Sequence, residues 1–314
     1  MKEMTLDFKT IPSVAVLLSS YNGSKFIERQ VQSILNQKDV KVTLFIRDDG
    51  SKDEKTLEIL EEYKKIENIV LVQEQNVGLA VSFMNLVYMA KDSFDYYCFA
   101  DQDDIWLEEK LIEAIKKIKD YDTPVLYVSN QTLVDSNEKF IEKRHKTILL
   151  TDYKQILCNN LISGCTMVWN KSLQQVLIEY KPSQMLLQKR IHDVWVSMVA
   201  AVVGTIVYDE NSYILYRQHE NNVVGVRTQT KFKEYLKKFK DPKLRNGRSL
   251  LAKEIYELFQ DKIEDSSLKE ELYYIGNYQA SKKLKKRLMK DISIPIRTGE
   301  SKFEFKMKVR FNLF

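Results

Sequence analysis

Short apolar runs of four to six residues alternate, in the first hundred residues, with segments whose apolar residues recur at helical spacing. The runs predict strands, and the segments around 26–35, 57–63 and 81–90 predict helices. Strands alternating with helices are typical of a parallel α/β sheet covered by helices on both faces. The four predicted strands are Val14–Ser19, Val42–Arg47, Ile69–Val72 and Tyr96–Ala100.

The alternation becomes less regular after residue 108, where longer apolar segments predict both kinds of element. Here we predict helices at Leu111–Ile118 and Ile191–Val203, the second of them buried, and strands at Val125–Val134, Leu161–Trp169 and Tyr213–Gln218. From Lys231 onward the apolar residues return to helical spacing, which predicts a helical C-terminal region.

Composition narrows the class of protein. The 314 residues are 44% hydrophobic and 30% charged, as in a soluble globular chain, which excludes collagen-like and wholly disordered proteins. The three cysteines have no CxxC spacing, which excludes a disulfide scaffold and a thiolate zinc site. We expect no signal peptide, and no transmembrane span, because the longest apolar run is shorter than the roughly 20 residues a span needs.

The net charge of +5 is unevenly distributed. Residues 231–314 carry 22 Lys and Arg against 12 Asp and Glu, whereas residues 1–230 carry 27 against 32. A mildly acidic body followed by a basic helical region predicts two parts, a domain over 1–230 and an appendage over 231–314.

Three polar clusters follow predicted strands: Ser19–Gly23, Asp48–Ser51 and Asp101–Asp104. Alone, the second could be a turn with a helix N-cap, and the third a helix N-terminus that favours carboxylates. Ligands of open α/β sheets bind beyond the carboxyl ends of the strands, so three clusters at neighbouring ends predict a binding site.

The acidic residues of these clusters indicate a hard divalent cation. Mg²⁺ and Mn²⁺ take carboxylate oxygens, and Mg²⁺ commonly leaves its other positions to phosphates. The spacing Asp101-x-Asp103 is therefore suited to anchoring a diphosphate through a metal ion. The chain has neither G-x-G-x-x-G after its first strand nor G-x-x-x-x-G-K-[ST], which argues against dinucleotide oxidoreductases and P-loop NTPases.

Seven motifs in order resemble the family 2 glycosyltransferases with the GT-A fold. They are SSYNG, RDDGSKD, NVGLAVSFMN, FADQDDIW, LISGCTMVWN, HDVW and YRQHENNVVG, and they span about residues 12–228. The combination is most similar to bacterial rhamnosyltransferases that extend cell-wall or capsular polysaccharide. The resemblance implies a GT-A α/β domain with a mostly parallel sheet, followed here by the C-terminal helical appendage.

The resemblance also implies roles for residues at matched positions on the donor side. The nucleotide would be bound by Ser19, Tyr21, Asp49, Asn85 and Asp101, with Tyr21 against the base, Asp49 accepting its hydrogen bonds and Asp101 facing the sugar.

Asp103 would ligate Mg²⁺ or Mn²⁺ on the diphosphate, whereas Asp104 would shape the loop. His219 would approach the metal or the diphosphate; a neutral imidazole bonded to phosphate or to backbone is the alternative. Either Arg217 or Arg227 could neutralise the leaving group.

The catalytic base implied by the resemblance is Asp193, in the pair His192–Asp193. The family has an acidic residue here, commonly in a Glu-Asp pair, and His192 replaces the glutamate. The alternative is that Asp193 caps the helix predicted over Ile191–Val203. The Ser163–Thr166 segment would lie on the acceptor side, and Cys165 lacks a basic partner that would make it a nucleophile.

These assignments together predict an inverting, metal-dependent glycosyltransferase. The best-matching donor is dTDP-rhamnose, and the acceptor would be a saccharide or lipid-linked glycan on the inner face of the cytoplasmic membrane. Two alternatives stay open: the same fold using UDP-galactose or UDP-glucose, and a non-catalytic scaffold that binds nucleotide sugars.

The densest basic segment, Lys282–Leu288, places Leu284 and Leu288 one helical turn apart among cations. Such a helix could bind an anionic membrane surface, or it could pack on the body with its charges solvated. Nucleic acid is not expected, because aromatic residues are scarce here and no known nucleic-acid motif surrounds the segment. We therefore expect a cytoplasmic protein, with peripheral binding to the membrane as the further expectation.

Overall fold

A nine-stranded sheet covered by helices forms the body of the computed structural model, which describes residues 10–218 and 245–314. The strands are β1 Ser13–Ser20, β2 Lys41–Asp48, β3 Ile69–Gln73, β4 Tyr96–Ala100, β5 Ile105–Trp106, β6 Val125–Val134, β7 Phe140–Lys143, β8 Val168–Asn170 and β9 Thr205–Arg217. The helices before residue 219 are α1 Ile27–Leu35, α2 Glu54–Tyr63, α3 Leu79–Ala90, α4 Lys110–Ile118, α5 Tyr153–Asn159, α6 Lys171–Glu179, α7 Gln184–Leu187 and α8 His192–Val203. Those after residue 244 are α9 Gly247–Phe259, α10 Ser266–Gly276, α11 Lys282–Lys290, α12 Ser293–Thr298 and α13 Lys302–Arg310.

The strand order is β3-β2-β1-β4-β8-β6-β9-β5, and β7, which lies off this path, pairs with β6. The first four strands in this order are parallel, as are β6 and β9, while β8, β5 and β7 pair antiparallel to their neighbours. Strands β1 and β4 are buried at every residue after the first, because helices cover both faces. The predicted α/β class with a mostly parallel sheet is confirmed.

Two predicted strands in the second half differ from the structure. Within Leu161–Trp169 the chain forms a 3₁₀ turn at Gly164–Thr166, and only Val168–Asn170 is a strand. The predicted Tyr213–Gln218 strand is the end of a longer one, β9, which runs beside β6 from residue 205. The pairing register between β6 and β9 shifts near Ser129 and Asn130, opposite a polar stretch of β9 at residues 209–212. Because these polar residues interrupt the apolar pattern of β9, the sequence did not indicate the full length of the strand.

The C-terminal helices pack on the body and share its core. One apolar cluster lies on the face of the sheet covered by α3 and α8, and it includes Phe83, Phe99 and Trp195 together with Phe259 and Phe305 of the C-terminal region. The second cluster lies on the other face, beneath α1 and α4. The C-terminal region therefore closes one side of the sheet.

The basic segment lies on α11, with its leucines turned inward. Leu288 is fully buried and Leu284 packs against the core. Arg287 pairs with Glu270 and lies 4.5 Å from the ring centroid of Tyr274. This helix therefore offers charge to a partner but no apolar face. Within the described ranges, no helix combines the length and the apolar character needed to cross a membrane.

Candidate active site

The loops after β1, β2 and β4 meet at one edge of the sheet, because these strands are parallel neighbours. The three polar clusters therefore lie together. Asp48 accepts hydrogen bonds from the backbone N–H and the hydroxyl of Ser51, which forms a turn, and Asp53 rather than Asp48 caps α2. The alternative of a turn is therefore correct for Asp48, whereas its neighbour Asp49 makes contacts of another kind.

Asp49 is buried and fastens the chain segment before α3. Its Oδ1 and Oδ2 accept the backbone N–H groups of Val77 and Gly78, both at 2.9 Å, and it pairs with the guanidinium of Arg47. Gly78 has φ +85°, a conformation that favours glycine. The predicted contact of Asp49 with a nucleotide base stays a prediction.

Ser19 joins the same network through a residue that sequence reasoning missed. The hydroxyls of Ser19 and Ser82 are 2.6 Å apart, and Arg47 donates to Ser82 at 3.1 Å. Arg47 is 1% exposed, and its other donors reach Glu74 and the carbonyl of Gln75. The signal available in the sequence was the position of this arginine at the end of a largely apolar strand.

Asn85 lies half-buried on α3, three residues after Ser82. Residues three apart share one side of a helix, so Asn85 is on the side that faces this network. Its predicted contact with the nucleotide stays a prediction.

Tyr21 projects from the β1 loop and is 44% exposed, as an aromatic platform for a base would be. Its backbone is held by Gln102, whose side-chain amide accepts from the N–H of Tyr21 at 3.0 Å and donates to its carbonyl at 3.1 Å. A Cβ at Gly23 would lie 2.3 Å from Oε1 of Gln102, so any larger residue there would displace this amide from Tyr21. Gln102, also missed from the sequence, thus ties the β1 loop to the acidic loop.

The acidic loop after β4 concentrates negative charge in a confined space. Burial, reinforced by the charge of Asp103, raises the pKa of Asp101 to about 7. Burial raises the pKa of Asp104 well above its usual range, and the charges of Asp101 and Asp103 add to this. Arg217 donates to the carbonyl of Asp103 at 3.1 Å and so holds the loop against the end of β9.

A divalent cation fits this charge. Ligand atoms of Asp101, Asp104 and Cys165 lie within 4.8 Å of one another, and within the described ranges neither carboxyl oxygen of Asp104 has a hydrogen-bond partner. Mg²⁺ and Mn²⁺ prefer carboxylate oxygens to a thiol, and burial raises the pKa of Cys165, so this side chain stays a neutral thiol. Asp103 is not a member of the 4.8 Å group, and its predicted ligation stays a prediction.

Asp193 is the second residue of α8 and lies in its first turn. It is 7% exposed, and its Oδ1 has no hydrogen-bond partner among the described residues. Burial raises the pKa of this carboxyl to about 7; the charge of Asp101 adds to the rise, while the backbone N–H groups of Val194 and Gly164 oppose it. The N-cap position of α8 is Ile191, so Asp193 lies inside the first turn and is not the N-cap residue of the capping alternative.

His192 is a packing residue. Its ring stacks on Phe83 with centroids 4.0 Å apart, and burial lowers its pKa to about 3, so it is neutral. A Cβ at Gly164 would lie 2.9 Å from Nε2 of His192 and 3.6 Å from Cβ of Asp193. The glycine that interrupts the predicted strand therefore allows the 3₁₀ turn to approach both residues.

Asp193 also lines a cavity of about 690 Å³. Its walls include Ser163, Arg190 and, from the C-terminal region, Arg248. His219 and Arg227 lie outside the described residues.

The fold is that of the GT-A glycosyltransferases. A solved structure of S. aureus TarS, residues 1–349 in complex with UDP, has a TM-score of 0.54 at 16% identity, and the match covers 95% of this chain and 80% of that one. At this identity the likeness concerns the fold.

The family follows from sequence comparison. Residues 15–177 match the family model described as Glycosyl transferase family 2, and the chain belongs to this family. It is 33% identical over 230 residues to the dTDP-rhamnosyl transferase RfbG of Shigella flexneri, covering 69% of this chain and 76% of the relative. It is also 30% identical over 159 residues to the putative teichuronic acid biosynthesis glycosyltransferase TuaG of Bacillus subtilis (strain 168), covering 50% and 61%.

Proposed function

We propose that the protein is an inverting, metal-dependent glycosyltransferase that moves rhamnose from dTDP-rhamnose to a hydroxyl of a cell-wall or capsular polysaccharide acceptor. The observation that carries the chemistry is Asp193, a buried carboxyl with a pKa of about 7 on the wall of a cavity beside the acidic loop. A group that titrates near neutral pH is well suited to general-base catalysis.

The donor and the acceptor rest on relatives. The 33% identity to a dTDP-rhamnosyl transferase supports dTDP-rhamnose, and the likeness to a putative teichuronic acid biosynthesis enzyme supports an anionic or cell-wall polysaccharide as the product. Donor preference depends on the shape of the pocket around Tyr21 and Asp49, so UDP-galactose and UDP-glucose are the donors to compare with it.

The transfer step uses the chain's own residues as follows. The acceptor hydroxyl gives its proton to the Asp193 carboxylate while its oxygen forms the new bond to the anomeric carbon of the sugar. The bond from that carbon to the diphosphate oxygen breaks, and the nucleoside diphosphate leaves with the electron pair. Attack from the face opposite the leaving group inverts the anomeric configuration. Arg217, which holds the carbonyl of Asp103, keeps the acidic loop in position.

The metal site on the acidic loop would hold Mg²⁺ or Mn²⁺ through Asp103. When bound, the cation would neutralise the charge that develops on the diphosphate. The close approach of Asp101 and Asp104, whose pKa values are both raised by burial and by the charge of Asp103, supports a site that gains from a positive charge.

A donor screen tests this function. Purified protein is incubated with Mg²⁺ or Mn²⁺ and each of dTDP-rhamnose, UDP-galactose and UDP-glucose, and release of the nucleoside diphosphate is measured. We expect metal-dependent release, fastest with dTDP-rhamnose, and loss of release with a chelator. Faster release from a UDP-sugar would reassign the donor. No release from any donor would leave a non-catalytic binding scaffold as the better description.

We also propose that the acceptor is lipid-linked and that the protein works at the inner face of the cytoplasmic membrane. The support is the charge of α11, where Lys282, Lys283 and Lys286 are exposed. Since Leu284 and Leu288 pack inward, the attraction to an anionic surface would be electrostatic rather than insertion of an apolar face.

A further inference from the structure

The cavity beside Asp193 is built where the body meets the C-terminal helices. The body contributes Arg144, the segment 158–163 and the segment 189–194, and the C-terminal region contributes Arg248 and Lys308. Its volume of about 690 Å³ is in the range of small-molecule binding sites, which is roughly 300–1,000 Å³. Among the described residues, the acidic loop does not line this cavity.

The walls of this cavity carry five cationic side chains and one carboxyl, that of Asp193; the cations are Arg144, Lys189, Arg190, Arg248 and Lys308. Glu300, behind the wall, pairs with Arg248 at 3.2 Å and with Lys308 at 2.8 Å. Glu304 also pairs with Lys308, at 3.2 Å, so five cationic side chains meet three carboxyl groups and the cavity keeps a net positive charge.

Arg190 and Arg248 are held close together although they repel each other. Nη2 of Arg190 donates to the carbonyl of Leu157 at 3.1 Å, and Nε of Arg248 donates to that of Cys158 at 2.9 Å, so consecutive carbonyls anchor the two guanidinium groups. Burial and the charge of Arg248 lower the pKa of Arg190 to about 10. The carbonyl of Leu157 takes one of the five N–H donors of Arg190, while that of Cys158 and the carboxylate of Glu300 take two donors of Arg248, so both guanidinium groups have further donors for a ligand.

An anion between these groups would relieve both the repulsion and the desolvation. Guanidinium forks match the paired oxygens of phosphate and carboxylate alike, but a phosphoryl group carries more charge and more acceptor oxygens. A site that keeps a net positive charge and presents several guanidinium groups is therefore better matched to a phosphoryl group than to a single carboxylate.

We propose that this cavity binds a phosphate or diphosphate group attached to the acceptor, and that this contact holds the acceptor hydroxyl beside Asp193. The inference rests on the proposed function in one respect: it takes Asp193 as the base. It adds the chemical class of the acceptor, a phosphorylated saccharide or a glycan joined to its carrier through diphosphate.

Inorganic pyrophosphate is the probe that tests the site. Binding to the full chain is measured by isothermal titration in the presence of a chelator, so that no metal-dependent binding at the acidic loop contributes. The variants are Arg144→Gln and Arg190→Gln, with Arg190→Lys in case the Gln variant of this buried residue does not fold. Arg297→Gln is the matched control, because Arg297 is also a C-terminal-side cation but pairs with Asp152 outside the cavity.

We expect the wild type to bind pyrophosphate, Arg144→Gln and Arg190→Gln to weaken binding by about tenfold or more, and Arg190→Lys to lose less than Arg190→Gln. Arg297→Gln and Asp103→Asn should bind as the wild type does. The proposal is wrong if the wild type does not bind, if the cavity variants bind normally, or if Asp103→Asn abolishes binding, since the anion would then sit in the donor site. Tighter binding of glucuronate than of pyrophosphate would overturn the phosphoryl assignment.

The donor screen on the wild type separates this inference from the proposed function. Pyrophosphate binding without release from any sugar nucleotide would refute the glycosyltransferase activity but leave the anion site. Donor release without pyrophosphate binding would do the reverse.

Discussion

Replacing Asp193 by Asn should lower turnover and raise stability at neutral pH. Asn has the same shape and can accept the backbone N–H bonds of Val194 and Gly164, but it removes a buried negative charge that faces Asp101. If Asp193 serves catalysis at the expense of stability, its replacement should lower turnover and raise stability. If it is a helix cap or a structural carboxylate, turnover and stability should both fall.

The stability term follows from the pKa of this carboxyl. Its value in the folded protein is about 7, against 3.8 for the ordinary group, so the folded state binds the proton more tightly than the unfolded state. Stability is then greatest below the unfolded pKa and is lost as pH rises through the folded pKa. The loss of unfolding free energy accumulates between the two pKa values and is complete above pH 7, where it is at most on the order of 4 kcal/mol, at about 1.4 kcal/mol per pKa unit. The Asn variant escapes this loss.

The activity term follows from the same carboxyl. A base with a pKa of about 7 is ionised in only about one tenth of molecules at pH 6, so kcat/KM should rise about fivefold from pH 6 to pH 7 and level off about tenfold above its pH 6 value. Removal of a general base costs about 10²–10⁴-fold in rate, and the rise with pH should disappear with it.

Donor hydrolysis between about pH 5.5 and 8.5 and thermal unfolding at both ends of this range measure the two terms. The Asn variant should unfold at a higher temperature than the wild type throughout this range, and the difference should be about twice as large at the alkaline end as at pH 5.5, where about half of the loss has occurred. Asp209→Asn is the matched control, because Asp209 is also a buried aspartate but bonds to Tyr127 away from the site. A flat wild-type pH profile, or an Asn variant less stable at alkaline pH, would refute the reasoning.

Three further predictions concern other parts of the molecule. Asp103→Ala should abolish Mg²⁺- or Mn²⁺-dependent donor hydrolysis while circular dichroism stays unchanged; wild-type hydrolysis that resists a chelator would contradict it. Gly164→Ala should lower turnover by about tenfold or more with little change in nucleotide affinity, because its Cβ would meet His192 at 2.9 Å and displace the neighbouring base; equal turnover would show that the turn yields. Gln at all five basic positions of 282–287 should release the protein from anionic vesicles, at about 1 kcal/mol per cation, and salt should have the same effect in a flotation assay; a wild type that ignores such vesicles at low salt would exclude the membrane role.

The sequence predicted the donor half of the protein well, for a physical reason. Buried parallel strands are nearly continuous apolar runs, and the polar clusters interrupt them sharply at the sheet edge. Strands β1, β2, β3 and β4 and the helices between them therefore lie where the pattern indicated. Short or edge strands such as β5 and β7 carry too few residues to show a period, and both were missed.

The residues that hold the site together were harder to predict. Arg47 and Gln102 look like ordinary polar residues of a strand and a loop, and only the fold shows that one is 1% exposed and that the other bridges two loops. The same is true of the cavity. Arg144, Arg190 and Arg248 are far apart in sequence, and no local pattern indicates that they share one wall.

The shared wall also changes how the C-terminal region relates to function. The change of charge near residue 230 predicted a body and an appendage, and as a division into folding units this boundary stays a prediction. The cavity is lined by residues from both sides of this boundary, since Arg190 lies before it and Arg248 after it. Their guanidinium groups are anchored to the adjacent carbonyls of residues 157 and 158. The match to the family model ends at residue 177, before Asp193 and before most of this wall. If the proposed anion site holds the acceptor, a chain of this fold could change its acceptor by changing the C-terminal helices, and the basic charge of this region would then bear on acceptor choice as well as on the proposed membrane contact.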